Sequence, residues 1–313
     1  MGWVIKPAPP ATKRVVLGLD WVTYGRHAPF YIAKEKGYYD NVGLAVDIVR
    51  GYGSTDAVAK VDIGTVDFAF GDLGSLAMAR AGGSKVKMVA MIYSKAPFTI
   101  YSLPEAGINE PKDLEGKSIA AMSTGDVNYV LFVPFAELND IDAGLVEWVF
   151  MSPPLKVPAL LQGTVDSITE FIMTTPEFTG IRPDVKIMML ADYGLDIYSN
   201  GLLARESTIN TDPDLVRKFV QATLKGYRYG LEHPDEAVDI LLKYQPQLDR
   251  NKARAEVDIV KDIVLVPDVL ELGMGWMSEN KVRFTRDIYF ESYDITEEVP
   301  VGDLYTLEFL SGE

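Results

Sequence analysis

Residues 15–49 read VVLGLDWVTYGRHAPFYIAKEKGYYDNVGLAVDIV. The first six, VVLGLD, are β-branched and apolar, the composition of a buried strand. Residues 28–36 (APFYIAKEK) carry apolar side chains at helical spacing, and Gly37 stands where a helix ends. Residues 44–49 (LAVDIV) are again a strand. Strand, helix and strand in this order make one βαβ unit, and that unit sets the fold class as α/β.

The same alternation continues outward. Gly51-Tyr52-Gly53-Ser54 is a turn in which Ser54 is suited to cap a helix running to Asp62. Residues 66–70 (VDFAF) form a third strand, ended by Gly71, and Asp72 opens the next helix. Residues 85–93 (KVKMVAMIY) are the fourth strand, so a parallel sheet with helices on both faces is expected. A second set follows, with strands at 118–122, 146–150, 166–171 and 185–190 and helices at 127–139, 154–162 and 175–180. From Pro213 onward the spacing is helical, over 214–233, 234–244, 252–264 and 275–292. The apolar stretches 96–103 and 193–203 sit between blocks and read as crossovers. The expected organisation is a flexible arm at 1–13, a first lobe of 14–97 plus 200–313, and an inserted lobe of 98–199. Small-molecule sites form at strand carboxyl ends and between domains, so the ligand cleft is expected between the lobes.

Composition narrows the function. The 313 residues hold 30 Lys and Arg against 45 Asp and Glu, a formal charge of −15, which disfavours nucleic acid and anionic membrane as partners. There is no cysteine, so disulfides, thiol nucleophiles and metal–thiolate sites are excluded. The two histidines, His27 and His233, are too few for a histidine-rich metal site, and no cofactor is expected. No apolar run reaches the roughly 18 residues of a membrane helix. The start, MGWVIKPAPPATK, is too short and polar for a signal peptide, and any export signal is expected to have been removed.

Residues 20–39 (DWVTYGRHAPFYIAKEKGYY), Gly43-Leu44, Gly53-Ser54 and Val66-Asp67-Phe68-Ala69 together resemble periplasmic solute-binding proteins of the nitrate, sulfonate and thiamine-precursor group. Residues 111–117 (PKDLEGK) resemble that group's opening of the second lobe. The matches run in order from Asp20 to Phe171. The resemblance implies a type II binding-protein fold, two doubly wound lobes on a two-crossover hinge. It further implies a periplasmic monomer that closes on a small-molecule solute and hands it to the membrane permease of an ABC importer. The Asp-Trp pair, the following His and the aromatic-rich first helix are most similar to binders of pyrimidine thiamine precursors. The related eukaryotic enzyme depends on a cysteine-rich motif and a sacrificial histidine. With no cysteine here, the expectation is a binding protein and not an enzyme.

The candidate ligand-binding set is Asp20, Trp21, Tyr24, His27, Tyr52, Ser54, Asp72, Ser123, Thr124, Gly125, Asp126 and Glu170. Trp21 follows the first strand, where an indole can stack on a flat heterocycle, with Tyr24 and Tyr52 as further wall; the alternative is an ordinary half-buried aromatic. His27 offers one donor and one acceptor when neutral, or is a cap. Asp72, beside Gly71 and Gly74, is either a helix cap or a ligand contact, or both. Ser123-Thr124-Gly125-Asp126 follows a strand and opens a helix, the setting in which free N–H groups take an anion or a polar substituent. Glu170 ends a strand of the second lobe, and a carboxylate in a closing cleft needs a partner. An aminopyrimidine edge with its ring protonated would supply two donors, whereas a solvated or salt-bridged glutamate needs no ligand. Nearby cations are few: Arg26, Arg50 and Arg182. Asp20 and Asp72 lack a nucleophile or metal beside them for acid–base chemistry. The rival solutes are a sulfonate, nitrate or an aromatic carboxylate, and the rival class is a small-metabolite enzyme.

Overall fold

The structure, a computed structural model, describes residues 12–178 and 180–310. The arm expected over 1–13 lies outside the described residues except for Thr12 and Lys13, and Lys13 already opens the first strand. In chain order the elements are β1 (Lys13–Gly18), α1 (Ala28–Glu35), β2 (Leu44–Val49), α2 (Ser54–Asp62), β3 (Phe68–Asp72), α3 (Leu73–Ala81) and β4 (Val86–Met91). The chain then crosses to β5 (Phe98–Ser102), β6 (Ser118–Ala121), α4 (Val127–Val130), α5 (Phe132–Leu138), β7 (Glu147–Phe150), α6 (Pro153–Leu161), β8 (Ser167–Phe171) and β9 (Lys186–Met189). It returns as β10 (Asn200–Arg205). Helices α7 (Glu206–Thr211), α8 (Pro213–Glu232), α9 (Pro234–Tyr244), α10 (Arg250–Val264), α11 (Pro267–Leu272) and α12 (Glu279–Ser292) follow.

The strands form two five-stranded sheets, ordered β2-β1-β3-β10-β4 and β7-β6-β8-β5-β9. Apart from β10 and β5, each sheet runs second, first, third, fourth strand of its own block. β10 and β5 fill the same place in the two sheets, each coming from across the crossovers. The all-parallel expectation is corrected here, because β10 is antiparallel to β3 and β4 and β5 is antiparallel to β8 and β9. The reason is the direction of entry: a strand fed from a crossover at the carboxyl edge of a sheet must run back toward the amino edge. Asn200 starts β10 opposite Asp72, and Phe98 starts β5 opposite Phe171. The carboxyl edges of the two sheets therefore face each other across the crossovers, and the molecule is a two-lobed α/β fold.

The first sheet is covered by α8, whose inner stripe buries Leu215, Val216, Phe219, Val220 and Leu224. Asp212 starts that helix by accepting the Leu215 N–H at 3.1 Å, the role the sequence leaves to the residue before Pro213. Phe219 stacks on Phe68 of β3 with ring centroids 3.9 Å apart. Truncating either ring to alanine would cost about 3–5 kcal/mol. Helix α12 serves both lobes: it lies along α3, while Ile288 and Tyr289 join the core built on Phe132 and Phe135 of α5.

Three expected helices differ. The one over 127–139 breaks into α4 and α5, because Pro134 has no N–H for the carbonyl of Val130 and its ring crowds that carbonyl. The one over 175–180 is a 3-10 turn over Ile172–Glu177 with Pro176 inside it. The one over 275–292 begins only at Glu279, after Gly273 and Gly275 take φ of 95° and 99°. Among the described residues no helix is long and apolar enough to cross a membrane.

Candidate functional site

The facing carboxyl edges are where the ligand cleft is expected. Asp72, Ser94, Ser199 and Asn200 stand near the crossovers on the first lobe, and Glu170 and Phe171 stand there on the second. Farther out lie Trp21 beyond β1 and Tyr52 and Ser54 beyond β2. Opposite them are residues 122–126 beyond β6, and Phe150 at the end of β7.

The outer part is aromatic. Trp21 is 42% exposed, Tyr24 41% and Tyr52 62%. Such exposure of large rings on one edge is unusual unless something covers them. Arg50 lies 4.4 Å and Lys60 4.9 Å from the Tyr52 ring centroid, so this ring is already engaged by cations. No described residue stacks on Trp21 or Tyr24. Their loop is braced by the turn after β2, since Gly51 N–H donates to Trp21 O at 3.1 Å and Gly53 N–H to Asp20 O at 2.7 Å. A Cβ at Gly51 would fall 1.8 Å from Leu19 O, so only glycine allows this approach. On the second lobe Met122 and Phe150 are exposed, with Ser123, Thr124 and Gly125 beside them.

Beneath the wall lies a buried polar network. Asp20 accepts from Arg26 Nη1 at 2.8 Å, His27 Nε2 at 2.8 Å and Asn200 Nδ2 at 3.0 Å. Burial alone would raise the Asp20 pKa, but the Arg26 cation and the His27 hydrogen bond hold it well below the usual carboxylate range. His27 Nδ1 accepts the Tyr24 N–H at 3.0 Å, which leaves the proton on Nε2 for Asp20. Burial, together with the Arg26 charge, pushes His27 down to about 4. The solute contact expected of His27 is corrected: both ring nitrogens are used and the ring is fully buried. Asp20 is likewise surrounded by the protein's own donors and is 4% exposed. Both hold up the wall from below.

Other expectations change in the same way. Ser54 is the first residue of α2 and makes no capping bond, because Gly53 occupies the cap position. Asp72 does cap α3, accepting the Ser75 N–H at 2.8 Å. The expected anion site at residues 123–126 is filled from within: Asp126 accepts the N–H groups of Met122 and Asn128 at 3.0 Å each. A carboxylate there repels an anion, and the helix it starts is a single turn. Glu170 is already paired. Lys156, with only 3% of its side chain exposed, sits 2.7 Å from Glu170 Oε1 and donates to Thr169 O at 2.7 Å. Of the cations expected nearby, Arg26 serves Asp20, Arg50 lies over Tyr52, and Arg182 is paired with Glu105 and Asp184. Among the described residues no group of three metal-ligating side chains converges.

Sequence reading missed Met122, Phe150, Lys156 and Tyr289. The first two could have been found, because each stands at the carboxyl end of an expected strand. Lys156 reads as an ordinary surface lysine within an apolar helix. Tyr289 arrives from α12, and no local signal ties it to the cleft.

Comparison with known proteins bears on the family and the fold. The profile of the family described as NMT1/THI5 like matches residues 25–237. The riboflavin-binding protein RibY of Chloroflexus aurantiacus is 25% identical over 98% of this chain and 89% of its own length. The formylaminopyrimidine-binding protein of Halalkalibacterium halodurans is 26% identical, covering 76% of this chain and 72% of its own. Among solved structures, the aliphatic sulphonate binding protein SsuA of Escherichia coli has a TM-score of 0.74 at 13% identity, over 97% of this chain and 95% of its own. That likeness shows the periplasmic-binding-protein fold. One expectation is overturned. A 4-amino-5-hydroxymethyl-2-methylpyrimidine phosphate synthase of Legionella pneumophila is 27% identical over 75% of both chains. The relatives thus include proteins named as enzymes at the same distance as binding proteins, so the expectation that this chain is not an enzyme does not stand.

Proposed function

The chain belongs to the NMT1/THI5-like family, and from that premise we propose that it captures a small planar, nitrogen-containing solute between its lobes. The observation that carries this reading is the exposure of Trp21 and Tyr24, rings on which no described residue stacks, beyond a strand of one sheet, and of Met122 and Phe150 at strand ends of the other. A flat heterocycle buries all four, and burial of aromatic surface is the largest favourable contribution available there. Tyr52 extends the wall, and the exposed hydroxyls of Ser123 and Thr124 with Gly125 meet polar substituents. Asp20, His27, Ser54 and Asp126 shape the loops that carry these groups.

The proposed lobes are 14–97 with 200–313, and 98–199, a division supported by the membership of the two sheets. Closure of the lobes over the solute reports the loaded state to the membrane permease of an ABC importer, with the protein in the periplasm as a monomer. The names of two relatives point to ring systems of this class, riboflavin and formylaminopyrimidine. A sulfonate or nitrate fits less well, because Asp72, Asp126 and Glu170 bring carboxylates to the facing edges. A second reading, turnover of a pyrimidine, is favoured by the synthase among the relatives.

The test is a thermal-shift and calorimetric panel of riboflavin, formylaminopyrimidine, 4-amino-5-hydroxymethyl-2-methylpyrimidine, taurine, nitrate and benzoate. A bound heterocycle at about a hundredfold its Kd adds roughly 2.7 kcal/mol of stability. Stabilisation by taurine or nitrate alone overturns the reading. Recovery of the bound solute chemically altered favours the second.

A further inference from the structure

Helix α10 lies in the segment assigned to the first lobe, yet it packs on both. On one side it meets the 3-10 turn Gly25–His27 that follows the aromatic wall. A Cβ on Gly25 would fall 2.3 Å from Ala253 O, so this turn is pressed onto the helix. On the other side α10 meets the turn Ile172–Glu177 of the second lobe. Met173 of that turn is buried in the same core as Val257, Val260 and Ile263 of α10. The first crossover is tied in as well, since Lys95 N–H donates to Ile263 O at 3.1 Å.

Glu256 stands at this junction. Its Oε2 accepts the Arg26 N–H at 3.2 Å, a donor at the start of a helical turn. One turn earlier on the same face of α10, Lys252 reaches the second lobe, with Nζ 2.6 Å from Glu177 Oε2. The two carboxylates therefore approach each other across the lobes. The other charges around Glu256 are engaged or fixed. The Arg26 guanidinium is bound to Asp20, and His27 behind it is held down to about 4 and stays neutral. Burial pushes Tyr93 on the crossover and Tyr227 of α8 upward, so both stay neutral. On α9, Asp235 and Asp239 pair with Arg250 and Arg254. Burial pushes Glu256 itself up to about 7; the Arg26 N–H and charge oppose this, and Glu177 adds to it.

Resting on the lobe closure proposed above, we propose that Glu256 is a proton-operated latch between the lobes. Neutral, it lets the turn Ile172–Glu177 seat against α10. Charged, it repels Glu177 and loosens that contact. Proton binding and seating favour each other by linkage, and the same amount of free energy acts in both directions. The seated carboxyl titrates above its ordinary value, so its contribution is present at pH 6 and is lost as pH rises through 7. The lobes draw together in mild acid and part in mild alkali.

The experiment reads the separation of the lobes directly. The chain has no cysteine, so two dyes attach only at Ile63→Cys after α2 and Leu145→Cys before β7, positions 77% and 54% exposed. Energy transfer between them is followed on the full chain, without solute, from pH 5.5 to about pH 8.5. Transfer should fall as pH rises, in a single-proton curve with its midpoint near 7. Glu256→Gln, whose amide oxygen still accepts the Arg26 N–H, should hold the acid value throughout. Glu177→Gln changes only an exposed side chain and should shrink the pH response. Transfer that is level across the range overturns the inference. So does a response that either variant keeps in full. The same samples with riboflavin, formylaminopyrimidine and 4-amino-5-hydroxymethyl-2-methylpyrimidine separate the latch from the capture of a solute. A pH response lost in Glu256→Gln, with no change on adding any of the three, upholds the latch and removes the capture reading.

Discussion

His27 donates its Nε2–H to Asp20 Oδ1 at 2.8 Å, while its Nδ1 accepts the backbone N–H of Tyr24. One imidazole thereby ties the residue before Trp21 to the residue that begins the following turn, and it does so only in the neutral Nε2–H form. Arg26 closes the arrangement with its own bond to Asp20 Oδ2 at 2.8 Å.

Asp20→Asn removes the carboxylate that pairs with the Arg26 guanidinium, a side chain that is itself 5% exposed. A buried cation left without its counter-charge costs about 3–5 kcal/mol. Urea denaturation should show that loss. A change below about 1 kcal/mol would mean that Arg26 finds another acceptor.

The pH dependence follows from two buried groups with opposite signs. His27 is held down to about 4 from an ordinary 6.5. As pH falls from 6.5 toward 4 the unfolded chain gains a proton that the folded one refuses, and stability is lost on acidification. Glu256 accepts the Arg26 N–H at 3.2 Å, and burial pushes it up to about 7 from 4.5. Its favourable contribution is present below 4.5 and is lost as pH rises toward 7. Glu256→Gln removes the second slope and leaves the first. The variant should lose about 2 kcal/mol between pH 7 and pH 5, and the wild type less, by denaturant melts at the two values.

Trp21→Ala should separate binding from folding. The indole is 42% exposed and nothing in the described chain stacks on it, so stability should change by no more than about 0.5 kcal/mol. Affinity for the best heterocycle of the panel should fall about five- to thirtyfold. Unchanged affinity by calorimetry would remove Trp21 from the site.

Lys156→Met strips Glu170 of its cation, and with 21% of that side chain exposed the cost should be about 1–3 kcal/mol. The double variant with Glu170→Gln should recover most of it. A double-mutant cycle by thermal unfolding measures the coupling, and purely additive losses would show that the pair does not act as a unit.

Much of this architecture is legible in the chain because the strands are short β-branched runs closed by turn residues, as residues 15–49 illustrate. The break at Leu131 is also readable in hindsight from Pro134. The site is less legible, for physical reasons. Whether Trp21 and Tyr24 are left bare depends on what the fold places over them. The engagement of His27 on both nitrogens depends on a backbone N–H three residues away. Lys156 and Glu170 meet through the packing of α6 under β8, and Tyr289 reaches Asp72 from the far end of the sequence. Pairing of charges across such separations leaves no periodic trace.

The exchange of strands between the lobes has a consequence for how the protein is made. All five strands of the second sheet, β5 through β9, precede β10 in the chain and leave the ribosome ahead of it. The inserted lobe can therefore close its sheet while the first still has a gap between β3 and β4, with Phe68 waiting for Phe219. The portion made first becomes native last. Until α8 arrives, β3 and β4 present bare edges and an uncovered apolar face, the state in which such a chain most needs a chaperone.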